Sequence, residues 1–261
     1  MQHAFSRTEL LIGKKALDKL RHSTVAVFGV GGVGSFTVEA LARSGVGHLV
    51  LVDDDLICLT NINRQIHATH KTIGKAKVDV MKERVLEINP KAKVKTFQKF
   101  YLPENGAEMI SKTYDYIVEA LDTVTAKIDI IVRAQALEIP VVSCMGAGKK
   151  LDPTMFQVAD LFSTSVCPLC RIMRIELRKR GVDALKVVYS KEPLRKPFAA
   201  PDPGCSKNCI CPKGSSIRKC STRRDIPGTI AFISSVAGLI AAAEVVNDLI
   251  KGVKNDTAGP L

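Results

Sequence analysis

Residues 25–55, VAVFGVGGVGSFTVEALARSGVGHLVLVDDD, constrain the fold of this 261-residue chain more than any other segment. A short apolar run leads through a glycine-rich turn into an amphipathic stretch that Gly45 closes, and a second apolar run ends at Asp53. A buried strand, a helix and a second buried strand in this order form a right-handed βαβ unit with parallel strands. The segment therefore predicts an α/β fold.

The chain continues to alternate between helix and strand after this unit. GKAKVDVMKERVLEINP has a helical apolar face that ends at Pro90, while AKVKTFQ and DYIVEAL indicate strands. TAKIDIIVRAQALE and IPVVSC indicate a further helix and strand. Such alternation with short connections is typical of a doubly wound, mostly parallel Rossmann-like sheet. We predict that residues 1–150 form a nucleotide-binding core of this kind.

Two segments follow the predicted core. In residues 151–228, which are basic and rich in cysteine, MFQVADL and ALKVVYS predict strands and PLCRIMRIELRKRG predicts a basic helix. Residues 229–261 begin with an apolar run of near-membrane length, TIAFISSVAGLIAAAEVVNDLIKG, which Glu244, Asn247 and Asp248 interrupt. A helix buried in the core or in a dimer contact is favoured over a membrane span.

The N-terminal residues predict a short amphipathic helix. Ser6 and Glu9 have the spacing of a capping box, in which two side chains satisfy the free amides of a helix start. Apolar residues follow at helical spacing: Leu10, Leu11, Ala16, Leu17 and Leu20. The opening sequence MQHAFSRTELLIGKK lacks the apolar core of a signal peptide, and we expect a cytoplasmic protein.

The glycine turn predicts a nucleotide site. Gly29, Gly31 and Gly34 match G-x-G-x-x-G between a strand and a helix, and Asp53 ends the next strand. Glycines in such a turn let the backbone approach a phosphate at the helix N-terminus, and the acidic residue accepts a ribose hydroxyl. The turn alone leaves open whether a dinucleotide or a nucleoside triphosphate binds.

Residues further along the chain favour a triphosphate. Arg64 and Lys77 would reach the β- and γ-phosphates, and Asp122 follows a strand at a position where its carboxylate would hold Mg²⁺. Together these charges would neutralise a leaving pyrophosphate. The Walker A pattern of kinases and ATPases is absent. The alternatives are a surface Arg64, a solvated Lys77 and an Asp122 that only caps a helix.

The positive charge of the chain is concentrated in one region. Residues 149–224 hold 17 Lys and Arg against 6 Asp and Glu, a net +11 of the chain's formal +12. Clustered positive charge is expected where a protein contacts a polyanion, although a solvated basic face is the alternative. The candidate nucleic-acid face consists of Arg171, Arg174, Arg178, Lys179, Arg180, Arg218, Lys219, Arg223 and Arg224.

Six of the eight cysteines lie in the same basic region. In a cytosolic chain such clustering favours metal binding over a disulfide framework. Cys58 and Cys144 stand alone among apolar neighbours and are predicted to be core thiols. Cys220 lies in the basic stretch IRKCSTRRD, where neighbouring charge should lower its pKa. It is interpreted as an unpaired loop cysteine or a metal ligand, with a catalytic acyl-forming thiol as the less favoured alternative.

Several motifs in fixed order identify a family resemblance. GVGGVG, LVDDD, TNINRQ, IGKAK and ALDTV resemble the ThiF/MoeB superfamily of ATP-dependent carboxylate-adenylating enzymes, which includes the ubiquitin-activating enzymes. NRQIHA and GAGKKLDPTMFQVADL are most similar to the tRNA threonylcarbamoyladenosine dehydratase group, which cyclises N6-threonylcarbamoyladenosine (t6A) at position 37 of tRNA. The resemblance implies the superfamily's ATP-binding fold, ATP and Mg²⁺ as cofactors, and a homodimer.

The resemblance also implies roles for individual residues. Asp53 would bind the ribose, Asp122 would hold Mg²⁺, and Arg7 would enter the ATP site of the neighbouring subunit; Asp55 is interpreted as polar support for the turn. The implied nucleotide-binding set is Gly29, Gly31, Gly32, Gly34, Asp53, Asp55, Asn61, Arg64, Lys77 and Asp122, and the implied catalytic set is Arg7, Arg64, Lys77 and Asp122.

Superfamily members with structural zinc carry a CxxC pair where Cys167 and Cys170 stand here. Zinc takes four tetrahedral thiolate or imidazole ligands. The second pair departs from the usual spacing, so we predict Cys209 and Cys211 as the remaining ligands, with Cys205 as the substitute. Free thiols and an iron–sulfur cluster are the alternatives.

The implied reaction is adenylation of the t6A carboxylate followed by dehydrative ring closure to cyclic t6A. The implied partners are ANN-decoding tRNAs and a second subunit, with sulfur-relay proteins as further candidates. The alternative function is adenylation of the C-terminal glycine of a ubiquitin-like sulfur-carrier protein for thiamine or molybdopterin synthesis, but the basic segment favours nucleic acid. A dinucleotide-dependent oxidoreductase is disfavoured by Arg64, Lys77 and Asp122.

Overall fold

Seven strands form one sheet in the computed structural model, which describes residues 2–196, 198 and 227–254. Their order across the sheet is β3-β2-β1-β4-β5-β7-β6, and all neighbours are parallel except the antiparallel pair of β6 and β7. This confirms the predicted doubly wound, mostly parallel sheet. The strands are β1 Thr24–Phe28, β2 His48–Val52, β3 Lys93–Phe97, β4 Tyr116–Glu119, β5 Val141–Cys144, β6 Phe156–Asp160 and β7 Lys186–Ser190.

Helices cover both faces of the sheet in the described part of the chain. Along β1, Val25 and Val27 face one apolar cluster, which α3, α4 and α8 complete, while Ala26 and Phe28 face the cluster with α6. A strand buried on both faces reads as a continuous apolar run, as TVAVF does. The helices are α1 Ser6–Ile12, α2 Lys14–His22, α3 Gly34–Ser44, α4 Lys77–Ile88, α5 Gly106–Met109, α6 Val124–Ala136, α7 Pro168–Arg178 and α8 Ala231–Ile250.

The sheet order places a crevice at the carboxyl ends of β1 and β4. The chain runs outward from β1 through β2 to β3, then crosses back to β4 on the other side of β1. Ligands of open α/β sheets bind where the strand order reverses in this way. The glycine turn follows β1 and Asp122 follows β4, so the topology brings both to the same crevice.

The strands predicted after residue 150 extend the same sheet. β7 pairs in parallel with β5 from Lys186 to Val188, and β6 pairs antiparallel with the whole of β7. The division of the chain at residues 150 and 228 stays a prediction. Cys205, Cys209, Cys211 and Cys220 lie outside the described residues, together with Arg218, Lys219, Arg223 and Arg224.

The N-terminal prediction was wrong in two respects. Gly13, with φ of 82°, divides the expected single helix into α1 and α2. Ser6 is the first residue of α1 rather than its cap, and its hydroxyl accepts a hydrogen bond from the His3 N–H at 2.8 Å. The Glu9 carboxylate contacts the His3 ring at 2.7 Å, so no capping box forms. Leu10 and Leu11 are 87% and 85% exposed, whereas α2 buries Ala16, Leu17 and Leu20.

Helix α8 packs closely on α3. Among the helices of the described part of the chain, α8 is the one long and apolar enough to cross a membrane, judged by length and composition. One face of it nevertheless lies in the core, where Ile233 and Ala237 are buried in the same cluster as α3. The Thr37 hydroxyl donates to the Gly238 carbonyl at 3.0 Å. This packing agrees with the predicted core helix.

Replacing Gly238 by valine is expected to destabilise the fold. A Cβ at this position would lie 2.3 Å from the Val33 carbonyl oxygen, so the helices must separate. Overpacking of this kind costs about 1–3 kcal/mol. Urea unfolding measures the loss, and Leu239→Ala, at a position 47% exposed on the same helix, is the matched control. A Gly238→Val protein as stable as the control would contradict this close contact between α8 and α3.

Candidate functional site

A cleft of about 530 Å³ opens at the carboxyl edge of the sheet. Such a volume is in the range of small-molecule and cofactor sites. Nine of the ten predicted nucleotide-binding residues line it, and Gly34 begins α3 directly after the lining turn. The nine are Gly29, Gly31, Gly32, Asp53, Asp55, Asn61, Arg64, Lys77 and Asp122.

The glycines of the turn are required by close backbone contacts. Gly29 has φ of 90°, and a Cβ there would lie 2.7 Å from the Ala120 carbonyl oxygen. A Cβ on Gly34 would lie 1.8 Å from the Gly29 oxygen. The first amides of α3 follow this turn, and a helix N-terminus with free N–H groups favours an anion. The turn therefore has a geometry in which a phosphate could be held.

Asp53 braces the turn from the end of β2. Its Oδ2 accepts a hydrogen bond from the Val30 N–H at 2.7 Å, and its Oδ1 accepts one from the Asp55 N–H at 2.9 Å. Asp53 can do so because it directly follows β2, which pairs with β1. The structural role predicted for Asp55 stays a prediction, and its carboxylate lies 2.6 Å from Lys77 Nζ.

Lys77 is a buried cation in an acidic surrounding. It is 4% exposed, and its Nζ lies 2.6 Å from Asp55 Oδ2 and 3.7 Å from Asp53 Oδ1. The alternative of a solvated lysine is therefore wrong. Burial, with the charges of Asp55 and Asp53, raises the pKa of Asp54 to about 6. An incoming triphosphate would compete with Asp55 for this ammonium.

Asn61 and Arg64 come from the loop before α4. The Asn61 Oδ1 accepts a hydrogen bond from the Cys58 N–H at 3.0 Å, which fixes the start of a 3-10 turn, Leu59–Asn61. The Arg64 guanidinium donates to the Thr60 carbonyl at 2.7 Å and to the Asn63 side chain at 3.0 Å. Both residues line the cleft, and Arg64 is folded against its own loop.

Asp122 occupies the loop between β4 and α6. Helix α6 begins at Val124 with Thr123 as its N-cap residue, so the helix-capping alternative for Asp122 is wrong. Among the described residues, the carboxylates grouped closely enough for a shared metal ion are those of Asp53, Asp54 and Asp55, within 4.8 Å of one another. The Mg²⁺ role of Asp122 stays a prediction. Arg7 is exposed on α1 and does not line the cleft of its own chain.

Comparison with known proteins identifies the family. A model of the ThiF family matches residues 5–260. The chain belongs to the ThiF family. It is 42% identical to tRNA threonylcarbamoyladenosine dehydratase of Bacillus subtilis (strain 168) over 97% of each chain, and 41% identical to the Escherichia coli (strain K12) protein of that name over 73% of this chain and 74% of that one.

Solved structures agree with this assignment. The crystal structure of E. coli tRNA N6-threonylcarbamoyladenosine dehydratase, TcdA, in complex with ATP superposes with a TM-score of 0.80 at 32% identity, covering 95% of this chain and 93% of that one. A probable molybdopterin-synthase adenylyltransferase of Porphyra purpurea is 34% identical over 50% of this chain and 33% of its own length. The ThiF resemblance predicted from the motifs is confirmed.

A pair of cysteines lies at the edge of the ThiF-family cleft. Cys167 precedes the first turn of α7 and Cys170 lies within it, both are buried, and Leu169 between them lines the cleft. A hydrogen bond from the Cys170 thiol, with the N–H groups of the first turn, lowers the pKa of Cys167 to about 6 and raises that of Cys170. The sulfurs therefore lie close together, as two ligands of one metal would. Cys144 is a core thiol, as predicted, and its burial raises its pKa to about 12. Cys58 is only half-buried, so the core position predicted for it was wrong.

The part of the candidate nucleic-acid face that lies on α7 and directly after it is only partly available to a partner. The Arg174 guanidinium is half-buried and donates to the Thr164 carbonyl at 2.9 Å and to the Thr164 hydroxyl, so it ties α7 to the preceding loop. Arg178 stacks over the Phe162 ring at 5.2 Å, and Arg180 pairs with Glu176 at 2.8 Å. Arg174 is thus a structural residue, while Arg171, Arg178, Lys179 and Arg180 stay exposed.

Gln65 and Lys127 are buried polar residues of the cleft that the sequence did not indicate. Gln65 is 5% exposed, its Oε1 has no hydrogen-bond partner in the described part of the chain, and a Cβ on Gly31 would lie 3.9 Å from its Nε2. Its position directly after Arg64 in TNINRQ was the available signal. Lys127 also lines the cleft although it is 1% exposed. A lysine in a helical pattern gives no sign of such burial.

His67 makes the stability of this ThiF-family fold depend on pH. It is 3% exposed, neither ring nitrogen has a partner among the described residues, and burial together with Lys77 and Arg84 lowers its pKa to about 3. The unfolded chain takes up the proton near pH 6.5. The stability of the fold that depends on a neutral His67 is therefore fully present above pH 6.5. It is lost as the pH falls from 6.5 toward 3, by about 1.4 kcal/mol of unfolding free energy per pH unit.

Replacing His67 by leucine is expected to reduce this loss. Between pH 7 and pH 5 the free energy of unfolding of the variant should fall by about 2 kcal/mol less than that of the wild type. Urea unfolding of both proteins at the two pH values measures this difference. Asp54 contributes to the pH dependence with the opposite sign, but it does so in both proteins, so its contribution cancels in the comparison. The exposed His70 provides the control variant His70→Leu. Equal pH dependence in wild type and His67→Leu would contradict a buried neutral His67.

Proposed function

We propose that the chain is an ATP-dependent tRNA threonylcarbamoyladenosine dehydratase, which adenylates the carboxylate of t6A at position 37 of tRNA and closes it to cyclic t6A. The observation that carries the proposal is the match to the B. subtilis dehydratase over 97% of each chain. The fold shared with ATP-bound TcdA at a TM-score of 0.80 supports it, together with the glycine turn at the carboxyl edge of this sheet, whose close backbone contacts suit a phosphate cradle.

The reaction consists of two displacements. A carboxylate oxygen of the threonylcarbamoyl group attacks the α-phosphorus of ATP, the bond to the bridging oxygen breaks, and pyrophosphate leaves. A nitrogen of the same modified base then attacks the activated carbonyl carbon, loses its proton, and AMP leaves. Because nucleophile and electrophile belong to one nucleoside, the effective molarity is high and no enzyme nucleophile is required. Positioning and charge stabilisation therefore account for most of the catalysis.

The buried Lys77, with Arg64 and Asn61, would bind the triphosphate. Its fixed place beside Asp55 supports this, because a buried ammonium is positioned before the nucleotide arrives. Asp122 would hold Mg²⁺, which when bound neutralises charge on the leaving pyrophosphate. Arg7 would reach the α-phosphate of the other subunit in a homodimer; its exposure and its absence from the cleft of its own chain support this.

The substrate is the t6A-containing, ANN-decoding class of tRNA. The exposed Arg171 and Arg178 on α7 and Lys179 and Arg180 directly after it support contact with its phosphates, because Leu169 in the first turn of α7 lines the cleft. A cytoplasmic location is proposed together with this substrate. Sulfur-relay proteins are proposed as further partners. Adenylation of a sulfur-carrier protein has less support, since the molybdopterin-pathway relative matches 50% of this chain.

The test of the function is an assay with purified protein, ATP, Mg²⁺ and t6A-containing tRNA. We expect AMP, pyrophosphate and a position-37 nucleoside lighter by one water. The same tRNA with unmodified adenosine at position 37 is the control and should give no AMP. Formation of AMP with a Gly-Gly-ended carrier protein but not with tRNA would contradict the proposal and support the alternative.

Zinc is proposed as a structural metal held by Cys167 and Cys170 with Cys209 and Cys211, or with Cys205 in place of one of them. The adjacent buried sulfurs of Cys167 and Cys170 fit two of the four tetrahedral thiolates. Protein purified without chelator is expected to contain stoichiometric zinc by elemental analysis. The Cys167→Ser/Cys170→Ser variant should lose it, while Cys144→Ser should retain it. Metal-free wild-type protein would refute the site.

A further inference from the structure

A buried ion pair lies beneath the cleft, between β4 and α6. The side chains of Glu119 and Lys127 are 0% and 1% exposed, and Lys127 Nζ lies 2.6 Å from Glu119 Oε2. Burying two charges carries a desolvation cost that their attraction often fails to return, so replacement by apolar residues is often neutral or stabilising. Stabilisation of the fold is therefore a weak explanation for the presence of this buried ion pair.

The pair joins three elements at the carboxyl edge of the sheet. The Ser143 hydroxyl donates to the same Glu119 oxygen at 2.6 Å, and Lys127 Nζ also donates to the Cys144 carbonyl at 2.7 Å. Glu119 and Ser143 are direct neighbours in the parallel register of β4 and β5. The end of β5 and the first turn of α6 are thus both fixed to the end of β4 through one carboxylate.

The second carboxylate oxygen holds the loop that carries Asp122. Glu119 Oε1 accepts a hydrogen bond from the Leu121 N–H at 2.8 Å. The Ala120 N–H donates to the Phe28 carbonyl at the end of β1 at 2.8 Å, and the Ala120 oxygen lies where it excludes a Cβ at Gly29. Residues 120–122 are therefore held between the glycine turn and the Glu119 carboxylate.

We propose that Glu119 and Lys127 are positioning residues for adenylation. The pair fixes Asp122 relative to the glycine turn. The residues that would hold Mg²⁺ and the triphosphate would therefore keep one relative position when the t6A carboxylate attacks. This inference rests on the proposed function and adds two residues to its site. A positioning role also accounts for the place of Lys127. Its side chain borders the cleft, and its described partners, Glu119 and the Cys144 carbonyl, lie in the sheet.

The test compares wild type with Glu119→Gln/Lys127→Met, in which the buried charges are removed together and the amide oxygen still accepts from Leu121. We expect an unchanged Tm, ATP binding without Mg²⁺ within threefold of wild type, and kcat lower by about 100-fold, because small misplacements have effects of this size. The gain in ATP affinity on adding Mg²⁺ should be lost. Lys186→Met is the control, since Lys186 pairs with Glu244 and Asp248 at the opposite edge of the sheet.

A folded double variant with wild-type kcat and an undiminished Mg²⁺ effect on ATP affinity would overturn the inference. If the double variant does not fold, Ser143→Ala decides, because it removes one hydrogen bond to Glu119 and leaves the ion pair. An unchanged Tm with a severalfold lower kcat would support positioning, and an unchanged kcat would refute it. A wild type inactive on tRNA would count against the proposed function, and the Mg²⁺ effect on ATP binding would then still decide the inference.

Discussion

Replacing Lys77 by methionine is expected to lower kcat/KM for ATP by about 1,000-fold, the effect of losing a preorganised charge at a water-poor site. Lys77 is 4% exposed and is the cation that faces both Asp55 and Asp53. Without it, a triphosphate would meet these carboxylates with their repulsion uncompensated. The loss of kcat/KM should exceed that caused by removing a solvent-exposed lysine that contacts phosphate, because water and salt screen a buried charge less than an exposed one.

Steady-state kinetics with varied ATP measures this effect. Lys75→Met is the matched control, because Lys75 lies two residues earlier and its side chain is exposed. The control should keep kcat/KM within about twofold of wild type, as expected for an exposed charge in screening salt. Equal activity of Lys77→Met and Lys75→Met would rule out a role for the buried ammonium in phosphate binding.

Replacing Gly34 by alanine is expected to weaken ATP binding severely. The added Cβ would lie 1.8 Å from the Gly29 carbonyl oxygen, a distance that only movement of the backbone can relieve. That movement separates the glycine turn from the start of α3, where the phosphate cradle forms. We expect ATP affinity to fall by more than about 100-fold and the free energy of unfolding to fall by about 1–3 kcal/mol.

Calorimetric titration with ATP and urea unfolding check these two effects. Gly228→Ala is the control, since a Cβ there meets no atom within 4 Å. The control should bind ATP as the wild type does. A Gly34→Ala protein that binds ATP with wild-type affinity would show that the turn is not the phosphate site.

The sequence predicted most of the architecture because its local signals agree. The strand TVAVF, the helix closed by Gly45 and the strand HLVLV each show their period within a few residues, and the structure has them as β1, α3 and β2. The predicted N-terminal helix is divided because Gly13 takes a positive φ. The predicted capping box does not form, because the Ser6 hydroxyl accepts a hydrogen bond from the His3 N–H instead. Spacing alone does not reveal such competition.

The candidate site was predicted to a similar extent. The predicted site residues stand next to strand ends or helix starts, so the topology brings them together at the carboxyl edge of the sheet. They include the turn glycines, Asp53, Lys77 and Asp122. The partner of each charge was not predictable: Lys77 contacts Asp55, Asp53 braces the turn, and Arg174 contacts Thr164. These contacts depend on side-chain directions across neighbouring elements, which residue spacing does not fix.

By itself the sequence determined the alternation of strands and helices, the glycine-rich turn and the family, because each is encoded in neighbouring residues or in an ordered set of motifs. Only the tertiary structure decided that Glu119 and Lys127 form a buried pair beneath Asp122 and that His67 is neutral in the core. Burial and pairing arise when elements distant in sequence pack together. A charged residue in a helical pattern looks the same whether it faces water or the interior.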